Sequence, residues 1–165
     1  MQDIVIDIGV MKSLAEAYRR APDLVAQEFY VAMLDATALL ERESKELAPT
    51  ATGLLRGSIF GEARATESGS LGVVGSPLQH AEYVELGTRP HFPPIEPLMD
   101  WVAVKFGISD EQQQRSIATA IAWKIFHHGT RSQLMFRRTF YQNEAQIESI
   151  FYAARDRIAA RLPAA

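Results

Sequence analysis

Four prolines, Pro90, Pro93, Pro94 and Pro97, fall within eight residues near the middle of the chain, in the stretch AEYVELGTRPHFPPIEPL, residues 81–98. Each proline ring fixes φ and deletes a backbone donor, so neither a helix interior nor a central strand tolerates that density. The stretch therefore reads as an extended, exposed, stiff loop. Whatever folds on either side must be joined through it.

The chain has 165 residues, 47% of them hydrophobic and 22% charged, which suits one α+β domain with a real core. No apolar run approaches the roughly 18 residues a membrane span needs, and MQDIVIDIGVMK lacks a basic leader and a cleavage site, so cytoplasmic synthesis is expected. The absence of cysteine excludes disulfides, thiolate zinc sites and cysteine nucleophiles together. Net charge is unevenly spread: residues 1–48 carry −4, residues 49–88 carry −2 and residues 89–165 carry +3. Such asymmetry permits complementary contacts between copies.

Residues 3–10, DIVIDIGV, alternate as a short strand or an assembly arm would. Ser13 and Glu16 have capping-box spacing for a short helix ending near Arg20, and Pro22 suits the first turn of a longer one ending near Ala48. Val25, Phe29, Met33, Ala36, Leu40, Glu43 and Leu47 recur along it at steps of three and four. LLRGSIFGEA and SLGVVGS, separated by TESG, predict a hairpin, and His80 to Leu86 reads as a third strand or a helical turn. A helical insertion over 95–128 is expected: one helix from Pro97 to Phe106 closed by Gly107, a second from Ser109-Asp110-Glu111 to Gly129. Phe140, Ile147, Phe151, Ala154, Ile158 and Leu162 predict one closing amphipathic helix. Long terminal helices over a small, mostly antiparallel sheet complete the expectation, with no internal repeat.

Sites are sparse. His80, Glu82, Glu85 and His91 lie close in sequence, but their spacing matches no helical ligand pair, and no metal or cofactor is expected. His127 and His128 suit a helix C-terminus, where positive charge is favoured. There is no G-x-S-x-G elbow and no phosphate-cradling glycine loop, so no catalytic residue is expected. Arg131, Arg137 and Arg138 interleave with Phe136 and Phe140 in the manner of a nucleic-acid contact, although the acidic chain as a whole opposes that role. Trp101 and Trp123, at helical spacing from other apolar residues, read as core.

Three segments together resemble one family, the tail-completion or neck proteins of long-tailed bacteriophages and prophages. Ala48-Pro49 followed by Thr52-Gly53-Leu54-Leu55-Arg56 and Ser58-Ile59 is similar to the family's "AP-x-x-TG-x-LR-x-SI" segment. Tyr83-Val84-Glu85-Leu86-Gly87-Thr88-Arg89-Pro90-His91 is similar to its "Y-x-x-x-V-E-x-GT" signature, and Ala118 to Ile125 with Gly129-Thr130 running to Phe136-Arg137 resembles the variant in which a helical insertion precedes a "GT…F" segment and the closing helix. Phe136 lacks the proline that commonly follows it, and Met1 to Lys12 match no motif.

The resemblance implies a non-enzymatic virion protein that joins a filled head to a tail. It implies copies of itself in a ring, six-fold or on the portal side twelve-fold. The partners implied are head-completion or adaptor and tail-terminator or tail-tube proteins, with passing contact to DNA and no membrane. A head-closure or tail-terminator ring is the related alternative, and a small nucleic-acid-binding regulator the unrelated one. The interface residues it points to are Tyr83, Glu85, Gly87, Thr88, Arg89, Pro90, His91, Phe92, Arg131, Phe136, Arg137 and Arg138. In that frame the proline-rich loop is a preformed strap with little conformational freedom to lose on docking, and Glu85 is placed to hold Arg89.

Overall fold

The first long apolar stripe folds as a single helix, α1 (Gly9–Leu47), rather than as two. The structure, a computed structural model, describes residues 9–49, 53–67 and 69–162. Residues 3–8 of the expected strand or arm lie outside them, while Gly9 and Val10 belong to α1. Ser13 sits inside the helix instead of capping it, and Pro22 is an interior residue. An interior proline forfeits a backbone bond and costs on the order of 3 kcal/mol. Arg19, Arg20 and Ala21 before it and Leu24, Ala26 and Gln27 after it are strong helix formers, and the packed face from Leu24 onward offsets the loss.

Six more helices and one hairpin follow among the described residues: α2 (Leu54–Ser58), β1 (Phe60–Thr66), β2 (Gly69–Gly75), α3 (Gln79–Leu86), α4 (Ile95–Phe106), α5 (Glu111–His128), α6 (Met135–Gln142) and α7 (Glu144–Arg161). The fold is α+β, mostly helical with one two-stranded antiparallel sheet. Leu54 to Ser58, expected in the first strand, turns helically because Leu55 and Ile59, one turn apart, are both buried while Leu54 is exposed. The 80–86 segment takes its helical alternative. The expected closing helix is two: the backbone breaks at Asn143 (φ −109°, ψ 7°), so Phe140 belongs to α6 and is exposed.

The chain divides into two compact units. The first comprises Met1–Leu39, Glu62–Val73 and Asn143–Ala165. There α7 runs back along α1, with Phe29 against Phe151 at 6.1 Å between ring centres. The deepest row on α1 is Glu28, Ala32 and Ala36 with Thr37 and Leu39, about one residue round from the expected stripe. Small side chains let neighbouring elements approach: a Cβ on Gly72 of β2 would lie 2.6 Å from Met33 Sδ and from Thr37 Cγ2. Tyr30 donates to the Ala63 carbonyl at 3.4 Å.

The second unit comprises Leu40–Gly61 and Val74–Gln142. One core cluster gathers Ala48, Leu55, Ile59, Ala81 and Met135 beneath Leu47, Val74, Val84 and Phe136. Another forms between α4 and α5 from Met99, Val102 and Ala118, flanked by Trp101, Ile117 and Ile121. Both helices carry the expected ends: Gly107 is left-handed (φ 66°, ψ 28°), and Asp110 accepts from the Gln113 N–H at 3.0 Å. Pro97 falls in the first turn of α4, where a missing donor costs nothing. The strap is accordingly Gly87–Pro94.

In the first unit Glu28 is 9% exposed, and its two carboxylate oxygens accept from Arg157 Nε and Arg161 Nη1 at 2.7 Å each. The Arg157 hydrogen bond, assisted by the charge of both arginines and opposed by burial, holds the Glu28 carboxyl below its ordinary 4.5. A depressed folded pKa means that the unfolded chain binds the proton first, so this stabilisation is present above pH 4.5 and lost as pH falls through the lower folded value. Glu28→Gln should be less stable than the parent at neutral pH, with the two curves converging in acid. Urea unfolding across roughly pH 3–7 measures this; parallel curves would contradict it.

Candidate functional site

Gly87-Thr88-Arg89 and Gly129-Thr130-Arg131 are the same tripeptide, and the fold lays one against the other. Thr88 N–H donates to the Thr130 carbonyl at 3.2 Å and Thr130 N–H to the Thr88 carbonyl at 3.1 Å, an antiparallel hydrogen-bonded pair. The two hydroxyls lie 3.1 Å apart, and each also accepts from the other threonine's N–H, at 2.9 and 3.2 Å. Every polar group of both threonine backbones facing the partner is thereby satisfied.

Glycine is obligatory in both halves. Gly87 (φ 73°, ψ −179°) and Gly129 (φ 66°, ψ −162°) occupy a region essentially closed to other residues. A Cβ would lie 2.4 Å from the Thr130 carbonyl oxygen at Gly87, and 2.0 Å from the Thr88 carbonyl oxygen at Gly129. Each glycine also ends its helix, α3 or α5, so the clasp joins two helix C-termini.

A second brace lies beside the clasp. The last carbonyls of a helix have no partner within it; in α3, those of Val84 and Glu85 accept from Gln133 N–H at 2.9 Å and Leu134 N–H at 3.1 Å. The Glu85 carboxylate reaches the start of α6, accepting from Phe136 N–H at 2.9 Å and Arg137 N–H at 3.1 Å. A carboxylate there satisfies orphan donors and complements the helix dipole. Glu85 therefore does not hold Arg89, as the resemblance suggested; two backbone donors 51 and 52 residues on are its partners.

The strap is pinned further along. His91 N–H donates to the Ile125 carbonyl at 3.4 Å, and its Nδ1 lies 2.9 Å from the Arg89 carbonyl. Phe92 meets Trp123 edge-on at 5.6 Å and Phe126 at 6.3 Å, while His127 stacks on Trp123 at 6.0 Å. Phe92 is 48% exposed and Trp123 51%, so Trp123 is not the core residue its spacing predicts; alanines 118 and 122 hold the buried face of α5 instead. His128, expected to continue that face, is also exposed.

The expected interface residues thus separate by location. Glu85, Gly87, Thr88 and Phe136 brace the strap or join the core. Tyr83, Arg89, Pro90, His91 and Phe92 are exposed on α3 or the strap, and Arg131, Arg137 and Arg138 are exposed beyond the clasp. Tyr83, Leu86, Arg89, Pro90 and His91 line an open cleft of about 470 Å³. His80, Glu82, Glu85 and His91 do not converge on a common point, and no group of three or more metal-ligating side chains does so among the described residues. Among those residues, too, no helix is long and apolar enough to cross a membrane.

No family model, no curated protein and no solved structure matches the chain. The repeated Gly-Thr-Arg tripeptide, at 87–89 and 129–131, is the sequence signal that could have disclosed the clasp.

Gly87→Ala and Gly129→Ala should each lower stability by on the order of 3 kcal/mol, through a strained φ and a backbone clash. Glu85→Ala should cost about 0.5–2 kcal/mol by uncapping α6. Denaturant unfolding of the three variants checks both; an unperturbed Gly129→Ala would mean that the clasp does not form.

Proposed function

We propose that the chain is a non-enzymatic structural protein of the neck of a long-tailed phage or prophage, one that completes the tail and joins it to the DNA-filled head. The observation that carries this reading is the clasped strap. Its backbone is held by Thr130 and Ile125, and the end of α3 before it by Gln133 and Leu134, while Arg89, Pro90, His91 and Phe92 stand exposed. A loop ordered in advance loses little freedom on docking, which suits a part that must engage a partner once and hold. Proline, aromatic and arginine side chains on such a loop supply anchor groups.

The resemblance to neck proteins supports the same reading, because the segments that carry it, Tyr83 to His91 and Gly129 to Arg137, are the two halves of the clasp and brace. In this role the protein works as several copies in a ring, six-fold by the symmetry of such tails. It is part of the virion and contacts head-completion and tail-terminator or tail-tube proteins.

Electron microscopy of particles made without this gene tests the proposal. Filled heads beside complete but unattached tails are expected, and normally joined particles would overturn it. Arg89→Ala should reproduce the joining defect while shifting stability of the isolated protein by less than about 0.5 kcal/mol, since its guanidinium pairs with no acidic side chain among the described residues.

A further inference from the structure

The two strands of the hairpin are not protected alike. On β1 the Gly61 N–H donates to Glu41 Oε2 at 2.8 Å, the Ala63 carbonyl accepts from Tyr30 at 3.4 Å, and Glu62 pairs with Arg64. β2, Gly69–Gly75, carries neither charge nor proline, and among the described residues no group outside the hairpin hydrogen-bonds to it. Sheet proteins blunt an open edge with charge, proline or a covering element, because its unpaired N–H and C=O groups are a template for another strand. The free edge of β2 has none of the three.

The outward face of β2 is equally bare. Gly72 is turned toward α1, where a Cβ would lie 2.6 Å from Met33 Sδ and Thr37 Cγ2, so alternation turns Leu71 and Val73 away from the helix. They are 53% and 39% exposed. Two strands alone make a marginal sheet in water, and a third adds both edge hydrogen bonds and apolar cover. β2 is built to receive one.

The chain carries one further strand pattern, DIVIDI at residues 3–8. Ile4, Ile6 and Ile8 fall on one side of such a strand, Asp3, Val5 and Asp7 on the other, and four of the six are β-branched. The two aspartates act against pairing of the segment with itself. Connectivity decides whose β2 it can meet. The segment is joined to Gly9 at the start of α1, whereas Gly72 lies against Met33 and Thr37 of that helix. From Gly9 to Met33 the helix rises roughly 36 Å at about 1.5 Å per residue. Six extended residues span at most about 22 Å. The segment therefore falls short of its own β2.

We propose that residues 3–8 of one copy add as a third strand to the open edge of β2 in a second copy, with Ile4 and Ile6 beside Leu71 and Val73. Backbone hydrogen bonds supply the attachment and the apolar cross-strand neighbours its register. The contact is heterologous, segment to edge, so each copy still offers one of the two to a further neighbour, and the series closes into a ring or continues as a filament. This goes beyond the neck reading and does not rest on it.

Sedimentation velocity of the full chain tests the proposal. The parent should pass from monomer to dimers and larger species as its concentration rises. Ile6→Lys and Leu71→Lys should each stay monomeric where the parent associates, with the parent's circular dichroism spectrum and melting temperature, while Ile6→Val should associate like the parent. Mixed in equal amounts, the two lysine variants should form heterodimers and nothing larger, because one still offers its segment and the other its edge, so the contact forms once per pair. A parent that stays monomeric at its highest soluble concentration would overturn the proposal. So would an Ile6→Lys chain that associates like the parent while Leu71→Lys does not, which would assign the edge to β2 of a second copy. An Ile6→Lys monomer that melts earlier than the parent would overturn it too, by placing the segment within its own chain, as would a mixture without heterodimers. Unjoined particles in the gene deletion together with any of these results would leave the neck reading standing and remove this contact; heterodimers together with normally joined particles would do the reverse.

Discussion

The pairing of Thr88 with Thr130 is the contact on which the organisation of the second unit depends. It joins the ends of α3 and α5 across 42 residues and fixes where the proline strap leaves and where the segment to α6 begins. Closing such a loop costs entropy, and a single backbone pair would offset little of it. The clasp gains from four N–H contacts shared by two threonines and from two glycines that admit a backbone approach closed to other residues. Glu85 adds two further hydrogen bonds at the start of α6, so the strap has braces on both sides.

The division of labour along the strap follows from this arrangement. Backbone groups, the Thr88 and Thr130 hydroxyls and Glu85 make the polar contacts, Phe92 packs edge-on against Trp123, and the side chains of Arg89 and Pro90 are exposed. The same holds beyond the clasp, where the Arg137 N–H is engaged by Glu85 while its guanidinium is exposed and free of acidic partners among the described residues. Exposed cations beside exposed aromatic rings have a composition common at protein interfaces.

Local signals carried much of the architecture. The end of α1 before Pro49, the hairpin, the caps of α4 and α5 at Gly107, Asp110 and Gly129, and the exposed strap all follow from turn and cap chemistry within a few residues. Where local rules competed with packing, packing prevailed. Pro22 is carried inside α1, the five residues after Gly53 are helical because Leu55 and Ile59 share one buried face, and a break at Asn143 divides the last apolar stripe. Trp123 has the spacing of a core residue, yet Ala118 on another face of α5 is the residue packed with Met99 and Val102 of α4. The site was half legible. Its residues stand in two short runs of sequence, but Glu85 acts on donors 51 and 52 residues away, and no spacing rule reaches that far.

Amide hydrogen exchange at Thr88 and Thr130 in the isolated protein tests the central claim most directly. If the strap is ordered in advance by its own chain, the two amides exchange slowly and together, protected as well as those of Phe136 and Arg137 beside them. Exchange of Thr88 and Thr130 at the rate of an unstructured peptide, with the α5 amides still protected, would contradict the account, because the strap would then acquire its shape only on meeting a partner.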